Sequence, residues 1–339
     1  MNNTEIGFAL LIAAGLMNAS FTLPMKFTRR WAWENTWLAW TFFTLLLLPA
    51  VVALCTVPGV VGIYRASDIT LLWTVMIFGF GWGLSQVFFG IAVETIGIAL
   101  TFSLVLGTSA ATGALIPMFR VDPHKLHTTA GHLLLLGVAT VLLGVALCGV
   151  AGRMRECAKL VIACQQRSNQ TVGLLLAILC GCGASFLNCG LAFGTPLMSA
   201  AVRNGATSAN AGDAIWPPLL VSGAIPNALY CLYLLKRNST GRNFARGGFS
   251  HWFLALVMAV CWFGSVLFYG ISASELGPMG TTVGWPLFMS LIVIAASLLG
   301  IVAGEWKRSG LWPLTIQLTG VAALVLAAFI LAKATLSFA

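Results

Sequence analysis

Apolar residues run along the chain in unbroken stretches of twenty or more, divided by short polar segments. An outer-membrane strand would instead alternate apolar and polar residues over about ten positions. A continuous run of about twenty apolar residues is one helical bilayer crossing. A helix satisfies its own backbone hydrogen bonds, as the hydrocarbon interior demands. The pattern predicts ten such spans: 5–24, 35–57, 69–93, 97–119, 131–151, 171–194, 212–235, 249–271, 279–303 and 312–334, numbered here as spans 1–10. The connecting loops are short and leave no room for a soluble catalytic or nucleotide-binding domain. No basic residue precedes span 1, so it lacks the charged start of a cleaved leader and is expected to stay.

The pattern also repeats. Trp82-x-x-Ser85-x-x-Phe88-Phe89-Gly90-Ile91 in span 3 recurs 180 residues later as Trp262-x-x-Ser265-x-x-Phe268-Tyr269-Gly270-Ile271 in span 8, and the match continues through Gly97/Gly277 and Thr101/Thr281. Shorter matches join Ala19-Ser20-Phe21 to Ala184-Ser185-Phe186 and Gly137-Val138-Ala139 to Gly320-Val321-Ala322. Five spans per half is an odd number, so the second half must enter from the opposite side. The predicted fold is therefore an all-α membrane protein of ten transmembrane helices in two inverted five-helix repeats. Its parts are residues 1–152, a basic cytoplasmic connection at 153–170, and 171–339. Inverted repeats are a habit of secondary transporters, whose substrate sits near the midplane between the halves.

Composition agrees and adds orientation. Of 339 residues, 59% are hydrophobic and 8% charged, against about 25% charged in soluble chains. That excludes a soluble globular protein, and the aromatic content excludes a disordered one. The net charge of +9 is not a nucleic-acid signal, because it is sorted by side. Thirteen of the 18 basic residues follow spans 1, 5, 7 and 9. The positive-inside rule makes those loops cytoplasmic and sets both termini on the extracytoplasmic side. The nine cysteines fall mostly within spans and read as small hydrophobes, without framework spacing.

Polar groups within spans are costly in lipid and should face the protein interior or a wet cavity. Trp82, Ser85, Gln86 and Phe89 share one face of span 3, and Trp262, Ser265 and Tyr269 repeat it in span 8. Span 1 offers Asn18, Thr22 and Lys26; span 6 offers Ser185 and Asn188; spans 4 and 9 carry Thr101, Thr108, Thr112, Thr281, Trp285 and Phe288. Spans 5 and 10 are nearly bare and read as outer scaffold. Aromatic rings cover the C–H face of a sugar, and amides match adjacent hydroxyls, so the stripes suit a neutral polyhydroxylated solute. Trp31, Trp37, Trp73 and Trp312 lie at span ends and are expected in the interfacial belt. Gly79 with Gly83, and Gly190 with Gly194, read as packing pairs. None of the nine acids, Asp213 among them, sits at a span centre; Glu94 and Glu275 occupy the turns after spans 3 and 8. A proton carrier needs a carboxylate whose pKa desolvation has raised. His124, His127 and His132 read as solvated loop residues rather than metal ligands, and no phosphate-binding loop or hydrolase elbow occurs.

Pro24-Met-Lys26 followed by Trp31-Ala-Trp33-Glu34-x-x-Trp37 resembles the L-rhamnose–proton symporter family, a ten-helix branch of the drug/metabolite transporter superfamily. Trp82-Gly83, Phe89-Gly90, Asn227 in span 7 and Glu305-Trp306 before span 10 extend the similarity over nearly the whole chain. Members can carry charge early in span 9, where this chain reads Glu275-Leu-Gly-Pro-Met-Gly-Thr281-Thr282. The resemblance implies sugar uptake across a bacterial inner membrane, by proton symport and alternating access. The expected substrate is a neutral monosaccharide, L-rhamnose or a related deoxy sugar, with the proton as coupling ion, no cofactor, and the lipid bilayer as a partner. Asn18, Gln86, Asn188 and Asn227 would bond sugar hydroxyls. Trp82, Trp216, Trp262, Tyr269 and Trp285 would form apolar walls. Lys26 and Glu34 would gate the cytoplasmic side, and Glu94 or Glu275 would couple the proton. An exporter of drugs, amino acids or metabolites is the alternative within the class. A membrane-embedded sensor or enzyme is the alternative outside it.

Overall fold

The structure, a computed structural model, describes residues 3–121, 123–159, 170–277, 279–307 and 309–338. Among them, ten helical stretches are long and apolar enough to cross a membrane: Asn3–Phe27, Trp33–Thr56, Ile69–Val93, Ile98–Arg120, Thr129–Glu156, Gln170–Arg203, Trp216–Arg237, Asn243–Glu275, Gly280–Val302 and Leu311–Phe338. These correspond one for one to spans 1–10, and no strand occurs among the described residues. Large apolar side chains such as Ile77, Leu143 and Phe329 stand exposed on the helices, which is the surface a bilayer covers. The connection after span 5 lies mostly outside the described residues, from 160 to 169.

Two spans depart in form from the hydropathy reading, one by an extension and one by an interruption. Span 6 does not end at 194. It is built of three helices, Gln170–Ala184, Phe186–Phe193 and Thr195–Arg203, that carry it on to Arg203. Pro196 opens the third, in the first turn, where its missing N–H costs nothing. Span 2 is interrupted by a π-helical segment at Phe42–Leu47, directly before the helix that holds Pro49 in its first turn. A proline ring collides with the carbonyl four residues back in a regular helix, and the wider turn relieves that collision.

The chain forms two compact units, each drawing on both sequence halves: Met1–Val87 with Cys189–Glu275, and Phe88–Asn188 with Leu276–Ala339. In the first, span 1 lies along span 8, where Ser272 Oγ donates to the Gly7 carbonyl (2.7 Å). Span 3 meets span 7 backbone to backbone. A Cβ added at Gly83 would lie 2.2 Å from the Gly223 carbonyl oxygen, and one at Gly79 only 1.8 Å from that of Leu219. Small residues of this kind let transmembrane helices approach closely.

In the second unit, span 5 runs along span 10, with Gly137 and Gly144 seated under Leu331 and Leu324. The end of the span 3 helix, through Ala92 and Ile96, and span 4, through Val105, pack on Ala177 and Cys180 of span 6. Gln317 Nε2 in span 10 donates to Ser297 Oγ in span 9 (2.7 Å). At the rim, Arg155 pairs with Glu305 (2.7 Å) and lies over the Trp306 ring (4.9 Å).

Positions 180 residues apart share local geometry. Gly97 (φ 92°) and Gly277 (φ 80°) both take the left-handed conformation after their helices, which a Cβ would disfavour. Ser85 Oγ and Ser265 Oγ each donate to the carbonyl three residues back, that of Trp82 and of Trp262, at 2.6 Å.

Candidate functional site

Trp33–Thr41 opens span 2. The side chain of Asn35 accepts from the Ala32 amide (3.2 Å) and its amide nitrogen donates to the Thr240 carbonyl (3.1 Å), fixing where the helix begins. Spacing of three and four residues then places Trp33, Trp37 and Trp40 on one face. Their rings form a ladder in the first unit. Trp33 and Trp37 stack at 5.1 Å between centroids, and Trp37 and Trp40 come next at 4.5 Å. Trp40 meets Trp262 edge-on at 5.5 Å, and Trp262 meets Trp82 at 5.2 Å. The ladder leads from an exposed ring, Trp33, to a fully buried one, Trp40.

Two amides flank its inner end. Asn18 Nδ2 donates to Ser265 Oγ (2.9 Å), and Gln86 Nε2 lies 3.4 Å from Ser85 Oγ. Each amide thus reaches the serine that is hydrogen-bonded to one of the paired tryptophans. Among the described residues, nothing donates to the carbonyl oxygen of either amide. The indole N–H of Trp40 and the hydroxyls of Thr41 and Thr44 are buried and have no partner among those residues. Apolar faces, two amide acceptors and a buried unmatched donor together are a chemistry for C–H surfaces and hydroxyl groups.

The structure brings Asn18, Trp82, Gln86 and Trp262 together. It places the other candidates elsewhere. Asn227 Oδ1 accepts from Trp37 Nε1 (3.1 Å) while its Nδ2 donates to the carbonyls of Gly223 (3.0 Å) and Gly83 (3.3 Å). Trp216 and Tyr269 are buried, the Trp216 indole lying against Gly270. In the second unit, Asn188 Nδ2 donates to the carbonyls of Gly113 (2.8 Å) and Thr281 (2.9 Å). Trp285 Nε1 donates to the Ser109 carbonyl (3.0 Å), and its ring covers Gly113 where a Cβ would be 2.1 Å away. Asn188, Asn227 and Trp285 therefore all bond backbone carbonyls on neighbouring helices.

Of the proposed gate and coupling residues, Lys26 is exposed on a short 3-10 turn, Leu23–Phe27. Glu34 is buried and accepts from Thr240 Oγ1 (2.6 Å) and Asn238 Nδ2 (3.1 Å). Glu275 is half-buried at the end of span 8. The Glu94 side chain lies outside the described residues. Two expected belt tryptophans are not in the belt. Trp31 is buried among Phe244, His251 and Trp252, and Trp37 is the half-buried donor to Asn227. Span-end position predicts a belt only when no other element covers the ring, and here the start of span 8 covers Trp31 and span 7 meets Trp37. Trp73 and Trp312 are exposed, as a belt requires.

Sequence reasoning missed two groups. Trp40 was legible, three residues beyond Trp37 and on its face. Asp213 stood out only as an acid near a span entrance. The structure buries it to 3% exposure in the 3-10 turn Ala211–Ala214, where Oδ2 is within hydrogen-bond distance of Thr56 Oγ1 (2.7 Å). Burial pushes its carboxyl up to about 6, and the Thr56 hydrogen bond offsets only part of that. Nearby, Tyr64 donates to the Ala214 carbonyl (2.8 Å), and burial raises its phenol, so it remains a neutral donor.

Ten apolar spans with neutral polar groups turned inward define a multi-pass membrane protein of the transporter kind. The family model described as L-rhamnose-proton symport protein matches residues 1–337, so the chain belongs to that family and is a transporter rather than an enzyme. Similar proteins include the L-rhamnose-proton symporter of Klebsiella pneumoniae (strain 342) and that of Salmonella typhi. Each is 26% identical over 318 residues, covering 91% of this chain and 92% of the relative. That of Yersinia pestis (strain Pestoides F) is 27% identical over 338 residues, covering 97% of both.

Proposed function

We propose that this protein imports a neutral monosaccharide, L-rhamnose or a related deoxy sugar, with a proton across a bacterial inner membrane by alternating access. Family membership supports the class of reaction. The observation that carries the substrate class is the ladder Trp33–Trp37–Trp40–Trp262–Trp82 ending at Asn18 and Gln86. Indole faces take the C–H surface and the methyl group of a deoxy sugar, and the amide oxygens and the Trp40 N–H take its hydroxyls. No carboxylate is hydrogen-bonded to these groups among the described residues, which suits an uncharged ligand.

The inverted repeat and the orientation belong to the same proposal. The matched glycine turns at Gly97 and Gly277 and the contact of Trp82 with its repeat mate Trp262 support duplicated halves. Contacts of Glu34 with Asn238 and Thr240, and of Thr56 with Asp213, each join segments that the charge pattern assigns to a common face, which supports the alternation of the spans. The sorting of basic residues carries the orientation, with extracytoplasmic termini.

The test is uptake by proteoliposomes carrying the purified protein under an inward proton gradient. Labelled L-rhamnose should accumulate and collapse on adding a protonophore. Failure of every hexose and deoxyhexose to accumulate would overturn the reading.

A further inference from the structure

We propose that Asp213 is a proton-binding site of this protein, protonated in the geometry seen here and deprotonated at another stage of the transport cycle. The inference rests on the proton-symport reading and names the group that would carry the proton.

The argument is one of hydrogen counting. Thr56 Oγ1 lies 2.7 Å from Asp213 Oδ2 and 2.8 Å from the Val52 carbonyl oxygen. A hydroxyl has one hydrogen and accepts through its lone pairs. An ionised Asp213 is acceptor-only, so both neighbours of the Thr56 hydroxyl would compete for its single hydrogen. A protonated Asp213 removes the conflict. Its O–H donates to Thr56 Oγ1, and Thr56 donates to Val52, the ordinary back-bond of a helical threonine. Both short contacts are then satisfied in one direction.

Among the described residues, no side chain other than Thr56 is hydrogen-bonded to or ion-paired with Asp213. Cys55 is exposed on the helix Leu48–Thr56. From Val60–Ala66 come Tyr64, held on the Ala214 carbonyl, and Arg65, which is exposed. Thr195–Arg203 brings only Arg203, also exposed. Span 7 carries Tyr230, Cys231 and Tyr233 along its length and Lys236 and Arg237 at its far end. Span 8 carries buried Tyr269, half-buried Glu275, Cys261 midway along it and, towards its start, Arg246 and His251. Among the described residues no cation lies within ion-pair distance of Asp213. A carboxylate 3% exposed without a cation favours its neutral form by desolvation.

The chemistry is a single O–H exchange. A carboxylate oxygen of Asp213 takes a proton from water, and the same O–H bond later breaks to return it to water. Release needs Thr56 to turn its hydrogen towards Asp213, or the turn Ala211–Ala214 to part from the end of span 2.

The test uses the full chain in proteoliposomes, with two independent readouts. The first is infrared difference spectroscopy between pH 5 and pH 8 without sugar. The wild type should show a protonated-carboxyl band that titrates well above the ordinary aspartate range, absent in Asp213→Asn and kept in Asp213→Glu. The second compares gradient-driven rhamnose accumulation with rhamnose exchange at equal pH. One coupled proton under a gradient of about one pH unit sustains about tenfold accumulation. Asp213→Asn should bring that ratio to unity and flatten the pH profile of exchange. Thr56→Val, which removes the hydroxyl that faces Asp213 in both protonation states, should shift the band's midpoint and the transport profile together. A band surviving in Asp213→Asn, or accumulation undiminished in it, overturns the proposal. Wild-type protein that moves no sugar would overturn the symporter reading, while the infrared band still decides Asp213.

Discussion

Replacing Asn227 by alanine separates a helix clamp from a sugar ligand. The side chain is 2% exposed and makes three hydrogen bonds, one to Trp37 in span 2, one to Gly83 in span 3, and one to Gly223 in its own helix. Alanine removes all three. The carbonyls of Gly83 and Gly223 lie within helices and keep their backbone donors. The Trp37 N–H loses its partner. Interhelical bonds in membrane proteins average about 0.6 kcal/mol, and an orphaned part-buried donor adds about 1 kcal/mol. The expected loss is about 2 kcal/mol, or about 3 °C in melting temperature for a chain of this size. The assay is thermal unfolding of purified protein in detergent, followed by tryptophan fluorescence, beside half-saturation for rhamnose in proteoliposomes. The clamp reading expects the melting temperature to fall while half-saturation of the folded fraction holds within about twofold, less than one methylene's worth of binding. An unchanged melting temperature with half-saturation raised about tenfold or more would refute it and return Asn227 to the sugar.

Three further outcomes come from the packing. Gly83→Ala places a methyl 2.2 Å from the Gly223 carbonyl and should cost about 1–3 kcal/mol, since backbone cannot step aside as a side chain can; a neutral melting temperature would contradict the backbone contact. Trp40→Phe deletes a buried N–H that has no protein partner among the described residues and leaves the space of the second indole ring, so the melting temperature should fall as for a large-to-small core change while rhamnose binding by the folded protein, read by calorimetry, weakens about tenfold, as for a lost hydrogen bond to a buried group. Finally, Asp213 holds its proton to about pH 6 when folded, against 3.8 as the ordinary value. Because the folded pKa is the higher one, the contribution to stability is fully present below about pH 4 and is lost as pH rises through 6. The difference corresponds to about 3 kcal/mol. The melting temperature of wild type relative to Asp213→Asn should therefore fall between about pH 4 and pH 7, and a rise over that interval would refute the assignment of direction.

The ten spans were legible because each is a local property, a run of apolar residues long enough to cross. The extension of span 6 to Arg203 was not, because Thr195–Arg203 is too polar for hydropathy to join it to the run before. The tryptophans show where local reasoning stops. Spacing puts Trp33, Trp37 and Trp40 on one face, and the internal match pairs Trp82 with Trp262, but only the fold puts Trp40 against Trp262. Glu34 carried a gate assignment from its motif. Its partners, Asn238 and Thr240, lie more than two hundred residues away and leave no spacing to find. Asp213 was passed over for the same reason. An acid near a span entrance is ordinarily solvated, and its burial depends on Thr56 and Tyr64 arriving from another part of the chain.

The long-range polar bonds of this fold are mostly between neutral groups: Asn227 with Trp37, Asn188 with Gly113 and Thr281, Trp285 with Ser109, Gln317 with Ser297, Ser272 with Gly7. Dissolved ions screen charges and leave such dipolar contacts alone. Ionic strength is therefore nearly an idle variable for the fold. A change in transport rate on titrating potassium chloride would report on the membrane surface and the proton supply, and the same titration in a melting experiment should trace a flat line.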